Sequence, residues 1–141
     1  MSSGSVTRYE AAGGARIYSI PVRVFPMLVA NIYVVIAGDY AALVDTGSGL
    51  GESDDHIRAG MEALRDEWGE RLTWADLKRV VVTHAHIDHY GGLSVVRDQT
   101  PAPIAVHELD RRVLTSHEER LVLTSRAVSS FLWRAGVSES S

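Results

Sequence analysis

The segment His84-Ala85-His86-Ile87-Asp88-His89 packs four metal-ligating side chains into six residues, directly after the β-branched run Val80-Val81-Val82-Thr83. Such a run reads as a buried strand, so the cluster sits where a strand ends. Alternation along an extended segment is expected to point His84, His86 and Asp88 to one side, with His89 swinging into the same pocket as the chain leaves the strand. Gly91 and Gly92 follow at once and permit a sharp turn with close backbone approach. With 6 His and 9 Asp among 141 residues, the pattern His-x-His-x-Asp-His arises in a shuffled chain roughly once in 1,500. Chance histidines are therefore a poor explanation, and metal binding a good one. Imidazole nitrogen and carboxylate oxygen suit Zn²⁺ first, while Fe or Mn also tolerates a mixed N/O site.

The absence of cysteine removes thiolate ligands, a cysteine nucleophile and a disulfide scaffold. It also fits a reducing compartment, so a cytoplasmic location is expected. A net charge of -4 with scattered basic residues argues against a nucleic-acid partner. The chain is 45% hydrophobic and 23% charged, as in an ordinary globular domain. Residues 1–14 read as a flexible leader, opening on Met1-Ser2-Ser3-Gly4-Ser5 without the features of a signal peptide. The most apolar tract, residues 25–38, is interrupted by Pro26 and Asn31 and is too short to cross a bilayer, so no membrane partner is expected.

Strands are expected over residues 15–20, 31–37 and 40–44, with Gly38-Asp39 forming a two-residue type II′ turn between the last two. Ser53 is placed as the N-cap of a helix whose apolar face carries Ile57, Met61, Leu64 and Trp68, with Gly69 as its C-terminal cap. Thr73 caps a short turn through Leu77. After the His-rich segment the expectation is a short helix over residues 92–97, a strand over 103–106, and one or two helices over 108–134, the later one carrying Leu121, Val128, Phe131 and Leu132 on one face. Strands and helices in this order indicate an α/β layered fold.

The run Thr83-His84-Ala85-His86-Ile87-Asp88-His89-Tyr90-Gly91-Gly92 resembles the signature of the metallo-β-lactamase superfamily, and Ala42-Leu43-Val44-Asp45-Thr46-Gly47 resembles the strand and turn that precede the first helix in that family. The resemblance implies an αββα layered sandwich, here represented by its N-terminal half over residues 15–141. It implies that His84 and His86 ligate one metal, and that Asp88 and His89 ligate a second. Asp45 would stand behind the ligands, orienting a metal-bound histidine; capping of its own Thr46-Gly47 turn is an equal alternative. Packing is expected of Tyr90, and capping or solvent exposure of His56, His107 and His117.

The implied function is metal-dependent hydrolysis, with zinc as the metal the resemblance implies, through a metal-activated water that Asp88 could orient or deprotonate. A complete family site takes further ligands from later in the chain, and neither His107 nor His117 has the expected setting. Three readings stay open: a hydrolase incomplete for catalysis, a non-catalytic metal-binding or interaction module, and one half of a split enzyme completed by a C-terminal partner chain. A small-molecule ester or thioester is the preferred substrate class. An uncovered sheet face is expected to favour self-association.

Overall fold

The computed structural model describes residues 4–115, in one unit that runs to His107 and a second that begins at Glu108. The first unit is built on a six-stranded sheet whose spatial order follows the chain: β1 (Thr7–Glu10), β2 (Arg16–Phe25), β3 (Leu28–Ala37), β4 (Tyr40–Val44), β5 (Arg79–Val82) and β6 (Ile104–Val106). The first four strands pair antiparallel, and β4, β5 and β6 pair parallel. Antiparallel neighbours need only tight turns, whereas parallel ones need crossovers. α1 (Ser53–Asp66) lies on the first crossover, and α2 (Ile87–Tyr90) with α3 (Leu93–Gln99) on the second. Gly38, at φ 61, opens the two-residue turn between β3 and β4 at the position that requires a positive φ.

The pleat sorts the strands into two faces. Tyr18, Ile20, Val22, Val24, Ile32, Val34, Ile36, Leu43, Val80 and Val82 are all buried on the face that receives α1. The helix contributes Ile57, Met61 and Leu64. Gly60 sets the separation, because a Cβ there would run into the Ile20 side chain. The opposite face, with Tyr33, Val35, Val44 and Val81, is only half-buried, and Tyr33 is 38% exposed.

Several boundaries differ from expectation for physical reasons. Residues 1–14 are not a loose leader throughout: Thr7–Glu10 forms β1, registered on β2 from Thr7↔Ser19 to Glu10↔Arg16. Four residues carry too little periodicity to announce a strand, and the long neighbouring β2 supplies the pairing. Ser53 is the first helical residue rather than the cap, since its Oγ turns backward to accept the N–H of Ser48 at 3.0 Å. Trp68 lies past the helix and is 39% exposed, edge-on to Tyr18 at 5.9 Å. Gly69, at φ 71, follows as the expected terminator. The short turn Trp74–Asp76 is capped as expected, with Asp76 Oδ2 accepting from both the N–H and the hydroxyl of Thr73 at 2.7 and 2.8 Å.

The segment after α1 is tied to the sheet by charge. Glu70 accepts from Arg16 Nε at 2.5 Å, Arg16 Nη2 at 2.9 Å and the Tyr18 hydroxyl at 2.5 Å. The Arg16 guanidinium holds the Glu70 carboxyl below its ordinary value, and burial pushes the Tyr18 phenol up.

In the second unit, α4 (Glu108–Thr115) begins where the helical expectation placed it. Leu121, Val128, Phe131, Leu132 and His117 lie outside the described residues. Among the described residues no helix is long and apolar enough to cross a membrane.

Candidate metal centre

The motif does not run on as an extended strand. β5 ends at Val82, and the chain bends through His84 and Ala85, with the His86 N–H reaching His84 O at 3.0 Å. His86 then caps the single turn α2, at φ -104 and ψ 146. Its carbonyl receives the N–H groups of His89 and Tyr90 at 2.9 and 3.1 Å. Bend and turn, rather than strand alternation, bring the side chains together. The ring centroid of His84 lies 4.6 Å from that of His86 and 4.0 Å from that of His89. His89 Nε2 lies 3.2 Å from Asp88 Oδ2.

Asp45 is the hub behind this cluster. It follows β4, is buried, and is the one non-glycine residue among those described with a positive φ, at 66°. That region costs an L-residue roughly 1–2 kcal/mol. The turn it produces aims the carboxylate at the motif. Asp45 Oδ1 accepts the Thr83 N–H at 2.8 Å, and Oδ2 accepts the Thr83 hydroxyl at 2.8 Å and faces His89 Nδ1 at 2.7 Å. Of the two readings of Asp45, the geometry matches the contact to a motif histidine.

The next residue grips the same histidine by its backbone. Thr46, fully buried, donates both its N–H and its hydroxyl to the His89 carbonyl, at 2.8 and 3.0 Å. The loop from Thr46 to Gly49 lies so close to the turn after α2 that a Cβ on Gly92 would collide with the Thr46 carbonyl oxygen, and one on Gly91 with that of Ser48. Both glycines of the motif therefore serve this backbone contact.

The structure thus gathers His84, His86, Asp88 and His89 at one end of the sheet, with Asp45 beside them. The donor chemistry fits a divalent metal, and the Asp45 contact occupies Nδ1 of His89, leaving Nε2 on the Asp88 side. Among the described residues, no three or more His, Asp or Glu side chains are placed so that together they could hold a metal ion. His56 departs from expectation, because its Nδ1 accepts the Arg23 backbone N–H of β2 at 3.1 Å. His107 is exposed after β6. Tyr90 is half-buried, and burial raises its phenol. Thr46 and Thr83 stand inside the two family-like runs, but the sequence assigns neither a role of its own.

No curated protein matches this chain. Among solved structures it is similar to MEM-A1, a subclass B3 metallo-beta-lactamase from a soil metagenome library, at 23% identity and TM-score 0.53 over 70% of this chain and 32% of that one. A metallo-beta-lactamase from Hirschia baltica is similar at 19% identity and TM-score 0.52, over 82% of this chain and 49% of that one. FIM-1 from Pseudomonas aeruginosa, solved in a mono-zinc form, is similar at 22% identity and TM-score 0.50, over 79% and 46%. These likenesses establish a shared fold, and the chain spans about a third to a half of the length of those chains. The sequence profile of the metallo-beta-lactamase superfamily matches residues 26–134, and with that match over most of its length the chain belongs to the metallo-beta-lactamase superfamily.

Proposed function

We propose that this chain carries the metal-binding half of a metal-dependent hydrolase, with zinc as the resident metal and water as the nucleophile. The observation that carries the reading is the buried Asp45 carboxylate, held 2.7 Å from Nδ1 of a motif histidine by a strained backbone. Carboxylates so placed behind metal-bound histidines fix the ring and raise its basicity. His84 and His86 would hold one metal position, Asp88 and His89 a second. A metal bound there supplies hydroxide near neutral pH and polarises the scissile carbonyl or phosphoryl group. The chain's own part is to position. Asp45 and Thr46 fix ring and backbone of His89, and Asp88 would orient the attacking water and accept its proton. Loss of metal content in His84→Ala with His86→Ala, measured by elemental analysis of purified protein, tests the reading. Equal zinc in wild type and double variant overturns it.

A catalytic zinc normally takes three protein ligands, and His84 with His86 provides two. Turnover therefore needs a donor from outside residues 84–89, and we assign that donor to a C-terminal half, either continuous with this chain or supplied by a partner chain. The half-buried face of Tyr33, Val35, Val44 and Val81 supports this reading and also suits self-association. A small-molecule ester or thioester is the substrate class assigned; the net charge of -4 disfavours nucleic acid.

A further inference from the structure

The Thr83 hydroxyl lies between two groups that both need it. Its Oγ1 is 2.8 Å from Asp45 Oδ2, 3.0 Å from Asp45 Oδ1 and 3.0 Å from His84 Nδ1. A hydroxyl has one proton to give and two lone pairs with which to accept, while an ionised carboxylate only accepts. Were the proton given to His84, oxygen lone pairs of Thr83 and Asp45 would face each other across less than a normal contact. The proton therefore goes to Asp45, and the Thr83 oxygen offers a lone pair to His84 Nδ1, which must then carry a hydrogen. In a neutral imidazole that leaves Nε2 bare. His89 differs, because it stands between two carboxylates, with Asp45 Oδ2 2.7 Å from Nδ1 and Asp88 Oδ2 3.2 Å from Nε2, and no single tautomer follows for that ring.

We propose that Thr83 is a positioning residue that relays the charge of Asp45 to His84, so that a buried carboxylate sets the Nδ1–H tautomer on that ring. The metal position assigned to His84 and His86 then receives an imidazole already presenting its Nε2 lone pair, since the hydrogen bond at one ring nitrogen decides which nitrogen binds metal. Its purpose rests on the metal reading above, but the tautomers belong to the metal-free protein and can be measured there. They are read from long-range proton–nitrogen correlation spectra of the imidazoles.

Wild type is expected to show Nδ1–H at His84. Thr83→Val, which keeps the shape and loses the hydroxyl, should move His84 to the Nε2–H form and leave His89 unchanged; Thr83→Ser should restore His84. Zinc affinity should fall about tenfold or more in the Val variant and recover in the Ser variant. An Nε2–H ring at His84 in wild type, or a His84 tautomer indifferent to Thr83→Val, overturns the relay. So does a Val variant that loses its circular-dichroism signature, because the hydroxyl would then serve the fold and not the ring. Wild type with the stated His84 tautomer, sensitive to Thr83→Val, but no zinc uptake upholds the relay and refutes the metal reading instead.

Discussion

Replacing Asp45 by Gly and by Ala separates what its carboxylate contributes from what its backbone costs. Both substitutions remove the acceptor shared by the Thr83 N–H, the Thr83 hydroxyl and His89 Nδ1. Hydrogen bonds to a charged group contribute about 1.5–3 kcal/mol each, but Thr83 is exposed and water can replace part of what it loses. The net loss expected is about 2–4 kcal/mol. The two variants then differ through φ 66. Ala carries the left-handed cost of roughly 1–2 kcal/mol and Gly does not. Gly gives back about 0.4–1 kcal/mol, because its unfolded chain is freer. Strain wins by a small margin, and Asp45→Gly should be more stable than Asp45→Ala by about 0.5–1 kcal/mol, a two- to fivefold difference in the folding constant. Urea unfolding of metal-free protein with an unchanged m-value measures it. An Ala variant as stable as the Gly variant would show that the positive φ is not a cost. Two variants as stable as wild type would show that the carboxylate contributes nothing net.

Gly92→Ala should destabilise by about 1–3 kcal/mol, since the new Cβ meets the Thr46 carbonyl oxygen, an atom of backbone that cannot rotate away; a thermal midpoint equal to wild type would contradict the close contact. Glu70→Gln tests the tie between the sheet and the segment after α1. The Glu70 carboxyl is lowered from 4.5, chiefly by Arg16, so its contribution is fully present above 4.5 and is lost as pH falls through the lower folded value. The stability gap between wild type and Gln should be wide at neutral pH and close in acid, and a gap independent of pH would remove the ion pair from the account.

Elements with a long, repeated pattern were legible in the sequence. β4 falls on its expected residues because Gly38-Asp39 punctuates a β-branched run, and α1 because Ile57, Met61 and Leu64 recur at helical spacing. β1 was not legible, since Thr7–Glu10 is held by its neighbour rather than by its own composition. Ser53 was misread by one residue for a related reason. Its hydroxyl has a competing tertiary partner, the Ser48 N–H, which local capping rules do not see.

The candidate site divides along the same line. His84, His86, Asp88 and His89 could be picked out because their types and spacing are chemical, and would be so in almost any backbone; the backbone assumed for them, an extended strand, was the part that failed. What brings them together is a bend, a single helical turn and two glycines pressed against the loop that starts at Thr46. Asp45 was half legible, as a carboxylate at a strand end, but its positive φ and its three partners become visible only when β4 lies beside β5. Thr83 and Thr46 were silent because threonine is ordinary next to a strand, and the partners that give each a role stand 38 and 43 residues away. A ligand motif therefore shows which atoms can bind a metal, while the tautomer that readies them depends on the parallel pairing of two strands that the motif does not mention.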